Sequence, residues 1–368
     1  MEHPDPAKTR VRLATTPPPR NLISRKKATY PVSEKFLSYL THYGRVTAEG
    51  VRYADLGRYT SSVPLYDENG RDTLWSTLLY GPNEQYEIYE QLLITYALIR
   101  SSGDFSIIKY LYVDRVDLCN YGNTLPYRVR IVNRYNENFD YFYVKKLDAS
   151  RVYGLELEHL LSPFRMHYLV RGETLIEEHI VGVPADQFIR DYLPNNRFDE
   201  IRLAKEFVKF NERCFVRLLG DMHSGNYVVN PTPDFEKMQY RMRPIDFDQQ
   251  SYHWRRHVYR PQFFPQNNPI IDIGMRHMTV ATVDQYQREE RALVAGRIRQ
   301  SRIRFEKLMH VFREEVLAPA EHVRRLGADL AKEYQNAQFE RAQTMGELVH
   351  MSLETVQRTV DASRSPHE

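Results

Sequence analysis

The run Leu218-Leu-Gly-Asp-Met-His-Ser-Gly-Asn-Tyr-Val-Val229, closed after a short excursion by Pro244-Ile-Asp-Phe-Asp248, concentrates the most informative chemistry of this chain. It sets three polar side chains on loops flanked by short apolar strands. Asp221 and Asn226 stand five residues apart, and Asp246 follows twenty after Asn226. A carboxylate, a carboxamide and a second carboxylate form a hard, oxygen-only set. Such a set suits Mg²⁺, which takes few protein ligands and leaves room for substrate phosphates. It does not suit zinc, because no Cys or His pair stands nearby at ligand spacing. The competing reading is an Asx-rich turn between strands.

Gly220, Asp221, His223, Gly225 and Asn226 follow the pattern Gly-Asp-x-His-x-Gly-Asn, and Ile245-Asp246-Phe247 forms an Ile-Asp-Phe strand turn. On these residues the segment resembles the catalytic loop and metal turn of the kinase-like fold, most closely the aminoglycoside phosphotransferase and choline kinase branch. One position departs from the pattern. Leu219 stands two before the aspartate, where the family usually has His or Tyr. The resemblance implies an α+β, bilobal protein-kinase-like fold, with a small antiparallel N-lobe sheet, a mainly helical C-lobe and an N-terminal extension. It implies ATP and Mg²⁺ as cofactors, Asp221 as the catalytic residue facing an acceptor hydroxyl, and Asn226 and Asp246 as metal ligands.

At 368 residues the chain is long enough for two lobes and a sizeable core. Its 42% hydrophobic and 27% charged content is ordinary for a globular protein. Residues 1–30 hold seven Lys/Arg against two Asp/Glu, a local +5 within a total of +3, which leaves −2 for the remainder. The body therefore gives no global argument for nucleic acid. No apolar run approaches a membrane span, and no basic-then-apolar start marks a signal peptide. Only Cys119 and Cys214 are present, so no disulfide framework is implied and a reducing cytoplasm is expected.

Residues 1–30, with Pro17-Pro-Pro19 and Arg25-Lys-Lys27, read as a disordered tail. Residues 31–107 read as an N-terminal extension and a candidate protein-partner surface. Within it a helix starts near Ser33, a Tyr- and Gly-rich loop with short extended pieces runs through Gly70, and a second helix spans 82–100 from Gly81-Pro82 toward Gly103. From Ile108 the pattern turns strand-like. Three extended runs are expected, Tyr110–Leu118, Tyr127–Asn133 and Tyr141–Leu147.

The kinase-like resemblance assigns 108–182 to an N-lobe and 183–360 to a C-lobe. The connection Cys119–Pro126 falls where a loop covers the ATP phosphates, with Gly122 as its single glycine and Thr124 as a hydroxyl donor. Val144-Lys-Lys146 followed by a helix over Arg151–Leu161 resembles the strand lysine and its partner helix glutamate. A lysine there neutralises phosphate charge, and a carboxylate holds its flexible stem. Strand alternation sends Lys145 and Lys146 to opposite faces. The company of Val144 and Phe142 favours Lys146, and Glu156 is preferred over Glu158 as the partner. Leu175–Ile180 before Gly182 resembles the last N-lobe strand and the hinge, placing Glu178 and Ile180 beside the adenine. Asn268-Pro-Ile-Ile-Asp272 resembles the start of a buried C-lobe helix, with Asp272 bonded to the catalytic loop.

Further on, Ile201, Ala204, Val208 and Phe215 are expected on one buried stripe, and Phe305, Leu308, Met309, Phe312 and Val316 on another. Arg297, Arg299, Arg302 and Arg304 are expected on a solvated face. No Walker loop, Gly-x-Ser-x-Gly elbow or His-Glu-x-x-His motif is present. Together these features point to a kinase acting on the hydroxyl of a small molecule. A protein kinase, or a nucleotide-binding pseudokinase that serves as an interaction module, are the alternatives.

Overall fold

The computed structural model describes residues 27–120, 124–194, 198–234 and 237–364. Gly122 and most of the expected basic tail lie outside the described residues. The chain opens with α1 (Glu34–His42), β1 (Ser61–Tyr66), β2 (Asp72–Leu79) and α2 (Pro82–Arg100). It continues through β3 (Leu111–Cys119), β4 (Tyr127–Asn133), β5 (Phe139–Lys146), α3 (Ala149–Leu161), β6 (Tyr168–Arg171), β7 (Thr174–Glu178) and β8 (Val183–Pro184). Short α4 (Ala185–Gln187), α5 (Glu200–Val216), β9 (Tyr227–Asp234) and β10 (Lys237–Pro244) follow. The helices α6 (Asn268–His277), α7 (Val280–Gln300), α8 (Arg302–Phe312), α9 (Ala320–Tyr334) and α10 (Met345–Arg364) complete it.

Seven strands pair antiparallel in the order β1-β2-β3-β4-β5-β7-β6. Alternation gives this sheet two unlike faces. Val129, Ile131, Phe142, Val144 and Ile176 turn to one side and form a core with Ile88, Leu92 and Ile99 of α2. Pro82 starts α2 at a position where its missing N–H costs nothing. The helix ends before Gly103, whose φ of +86° an L side chain rarely adopts. The other face carries Arg115, Asp117, Arg128, Tyr143, Lys145 and Glu177, linked by ion pairs and ring contacts.

Helix α3 crosses between this sheet and the helical lobe, and every one of its residues except His159 is buried. Tyr153 stacks on Phe36 of α1 at 3.8 Å and on Phe312 of α8 at 4.1 Å, so one ring column joins three helices. Gly154 allows a closer approach still. A Cβ there would stand 3.0 Å from Phe247 and 3.2 Å from Gln250. The helix thus lies directly on the turn that carries Asp246. Beyond it, α5, α6, α7 and α10 pack around a common core, beside the small sheet β10-β9-β8. A small antiparallel lobe joined to a mainly helical one, with α3 between them, gives a bilobal α+β architecture.

Several expectations change on contact with the structure. The stretch through Gly70 is mostly loop with one short strand, β1, as expected, but β1 pairs with β2 beyond Gly70 and the two extend the sheet at the β3 edge. Residues 27–30 are not part of a free tail. Lys27 is ion-paired with Asp148, and the Tyr30 amide donates to the same carboxylate at 2.8 Å. Ile201 and Val316 are exposed, while their stripe neighbours Phe215, Phe305, Leu308 and Phe312 are buried. Arg304 leaves the solvated face and reaches the buried Glu156.

Candidate functional site

The three residues singled out first do come together, and a hairpin is the reason. Strands β9 and β10 pair up to Tyr227 and Pro244, and the Ile245 amide then donates to the Asn226 carbonyl at 2.9 Å. Asn226 and Asp246 therefore leave the open end of one hairpin side by side. The Asn226 Nδ2 donates to the Asp221 carbonyl at 2.8 Å. That bond orients the carboxamide and leaves its oxygen as the atom to face a cation.

Asp221 is held through its backbone. Its amide donates to Val258 O at 3.0 Å, and its carbonyl also accepts from His223 N at 2.9 Å. Its φ of +62° lies in the left-handed region, which Asp tolerates better than most residues. Gly220 is needed for close approach, since a Cβ there would meet Gln249 O and the Val258 side chain at 3.1 Å. Leu219, the departure from the family pattern, is fully buried in the main core. Apolar packing fills its position.

Asp221 is only 3% exposed, and its Oδ2 has no hydrogen-bond partner. Burial, reinforced by the charge of Asp246, pushes its carboxyl up to about 7. Asp246 is more open, and its Oδ1 accepts the Asp248 amide at 3.0 Å. The strongest neighbour of this pair is a residue that sequence reasoning passed over. Arg151, in the first turn of α3, is ion-paired with Asp248 and lies 3.8 Å from Asp246. It also donates to Thr124 Oγ1 at 3.4 Å.

The expected lysine and glutamate pair is not formed. Glu156 is completely buried, but its partners are Arg304 Nε at 2.7 Å, Arg45 at 3.6 Å, and the hydroxyls of Tyr39 and Tyr168 at 2.7 and 2.6 Å. Burial would raise its carboxyl, yet Arg304 and Arg45 outweigh that and hold it below the ordinary range. Glu158 is taken by Arg217. Lys146 shares the face of β5 that packs on α2, but at the strand end it is exposed, 5.4 Å from the Tyr53 ring. Lys145 is on the polar face, as the alternation allowed, but it pairs across the strands with Glu177 at 2.7 Å.

Glu178 is nearly buried and accepts the His167 amide at 2.9 Å, while its own amide donates to His167 O. Its side chain is thus spent on β6. Ile180 belongs to the main core. Near this strand end the polar face continues through Tyr143, the Trp75 ring and the Arg128 guanidinium 4.4 Å from that ring. Arg128 is anchored in turn by Asp117 at 2.9 Å. Asp272 is exposed, which removes it from the expected structural role. Asn267 takes that role instead. It is fully buried, donates to Met222 O at 3.0 Å and to Pro261 O at 2.7 Å, and accepts from the Tyr227 hydroxyl at 3.0 Å.

Among the described residues, no three His, Cys, Asp or Glu side chains gather as a ready-made metal cage. Mg²⁺ does not require one, since it binds through one or two carboxylates together with substrate phosphates. Asp148, Asp221, Asp246 and Asp248 face Lys27 and Arg151 as the nearby cations, an excess of negative charge lined with oxygen atoms. That donor set fits a hard divalent ion.

No protein-family model and no curated relative matches the chain. Among solved structures it is similar to the Rio2 kinase–ADP/Mg²⁺–phosphoaspartate complex from Chaetomium thermophilum. The two share 11% identity at a TM-score of 0.34, over 90% of this chain and 85% of that one. A likeness this distant carries no argument, and the functional reading rests on side-chain geometry.

Proposed function

We propose that this protein is an ATP- and Mg²⁺-dependent phosphotransferase acting on the hydroxyl of a small molecule. The single observation that carries the reading is the buried Asp221 carboxylate, with an unpartnered oxygen, beside Asn226 and Asp246 at the mouth of one hairpin. Asp221 accepts a hydrogen bond from the acceptor hydroxyl and orients its oxygen toward the γ-phosphorus. As the new P–O bond forms, the bond to the β,γ-bridging oxygen breaks, the hydroxyl proton passes to Asp221, and ADP leaves. Burial favours the protonated form of that carboxyl and so helps it take the proton.

Asn226 Oδ1 and the Asp246 carboxylate would hold the metal, which supplies charge neutralisation across the triphosphate oxygens. The protein's own contribution is positioning. Backbone bonds from Asp221 and Asn226 fix both side chains before substrate arrives, and such preorganisation supplies much of the rate in phosphoryl transfer.

Thermal melts with and without ATP and Mg²⁺, run beside Asp246→Asn, test the reading. A ligand at a hundred times its dissociation constant adds about 2.7 kcal/mol to stability. A shift that needs Mg²⁺ and is lost in the variant supports a nucleotide site, and acceptor-dependent ADP release then supports the small-molecule reading. Labelled protein with no acceptor requirement would move the assignment to a protein kinase. No shift at any ATP concentration would sink the phosphotransferase reading.

A further inference from the structure

We propose that the phosphate-binding cation of this site is Arg151, backed by Lys27, in place of the strand lysine. The ligand class is the polyphosphate of a nucleoside triphosphate. The inference rests on the nucleotide reading above and adds which residues take the anion.

Arg151 is 1% exposed, and Nη2 alone makes its polar contacts, to Asp248, Asp246 and Thr124. Nε and Nη1 are buried without partners. These nitrogens carry the remaining three N–H donors of the guanidinium. Leaving donors of a buried cation unpaired is costly, and a guanidinium edge matches two oxygens of one phosphate. Other buried arginines also hold free N–H groups, but Arg151 is the one set among the candidate metal and catalytic carboxylates. Thr124 ties it to the β3–β4 connection.

The placement follows from packing. Gly154 brings α3 onto Phe247, and Arg151 lies one helical turn earlier on the same face. Lys27 reinforces the position. Its side chain is 4% exposed and ion-paired to Asp148, the residue just before α3, and it lies within the electrostatic reach of Asp246. Lys145 is held by Glu177 across the strand pair, away from the aspartates that Arg151 meets. The local excess of carboxylates also selects the ligand. A bare anion would meet repulsion from Asp246 and Asp248, whereas a polyphosphate arriving with Mg²⁺ satisfies both charges.

Calorimetric titrations of the wild type, Arg151→Gln, Arg151→Lys and Lys145→Met with Mg·ATP, adenosine and Mg·tripolyphosphate test the proposal. Charge-assisted hydrogen bonds of about 1.5–3 kcal/mol predict that Arg151→Gln weakens ATP and tripolyphosphate roughly 10–100-fold. Arg151→Lys should fall between, and Lys145→Met should stay within about twofold, the scatter expected of a group outside the contact. Adenosine binding should be unchanged throughout. Removing the guanidinium leaves Asp248 unpaired, so circular dichroism must show each variant folded; if Arg151→Gln is not, Arg151→Lys decides. Full ATP affinity in the folded Arg151 variants, or its loss in Lys145→Met, overturns the assignment while the nucleotide reading stands. Arg151-dependent tripolyphosphate binding without any adenosine contribution upholds the anion site and removes the nucleotide reading. A wild type that binds neither phosphate ligand removes both.

Discussion

The Asp221 loop and the sheet lobe hold their polar residues by different means. Around Asp221 the geometry is local. One hairpin register, a few backbone hydrogen bonds and a tight glycine fix Asn226, Asp246 and the aspartate within a short span of chain. In the sheet lobe the geometry is remote. Which cation reaches the site depends on the face that α2 covers, on Glu177 across the strands, and on how closely α3 lies on Phe247. Polar chemistry carried by a hairpin survives as a pattern in sequence, whereas chemistry carried by packing between distant elements does not.

The sharpest way to break this comparison is at the Asp221 side. Asp221→Ala should lower turnover by about 10²–10⁴-fold, the range for losing a positioned acid–base group, while leaving Mg·ATP affinity in place. Steady-state kinetics beside calorimetry would show it. If binding and turnover fall together, Asp221 is structural.

The next largest effect belongs to the remote side. Glu156→Gln strips the buried counter-charge from Arg304 and Arg45, and breaking such a pair costs about 3–5 kcal/mol. Urea unfolding should register that loss, with unchanged nucleotide affinity in the folded fraction. Reduced affinity at unchanged stability would restore the helix glutamate to its expected nucleotide-site role. Gly154→Ala should cost about 1–3 kcal/mol by overpacking against Phe247, read from the same unfolding curves. A neutral result would show that α3 shifts freely over the aspartate turn.

A smaller effect is set by pH. Burial, aided by Arg45, lowers His159 to about 4, and the Met166 amide donates to its Nδ1 at 3.2 Å. The unfolded chain takes up this proton near 6.5, so the neutral ring's contribution is complete above 6.5 and is lost as pH falls toward 4. Melting temperatures of wild type and His159→Asn across that window should converge at the acid end. Parallel curves would place the acid sensitivity elsewhere. Smallest of all, Lys146→Ala should change neither melting nor nucleotide affinity measurably, as expected of an exposed charge over a ring.

Much of the frame was legible. The helix expected over 82–100 is found there, and the three strand runs appear within a residue or two of their expected limits. Strong apolar periodicity and punctuation by Gly and Pro made this possible. Strand β1 falls among the short extended pieces expected before Gly70, whereas β2 was missed because its apolar residues do not alternate cleanly. Arg151 and Arg304 were missed for a different reason. An arginine on a helix reads as solvated until the burial of the whole helix is known, and for α3 that burial comes from both lobes at once. Asn267 carried only a faint signal, standing just before Asn268-Pro269 at a helix start.

The Trp75 ring, set against Arg128 on the polar face of the sheet, gives this protein an optical handle. The chain has only two tryptophans, and the other, Trp254, lies in the helical lobe between Arg255 and Arg325. Replacing Trp254 with Phe would leave Trp75 as the one indole, excited apart from the tyrosines at long wavelength and quenched or released as its cationic neighbour moves. Emission from that one ring could then time events in the small lobe separately from those in the large one.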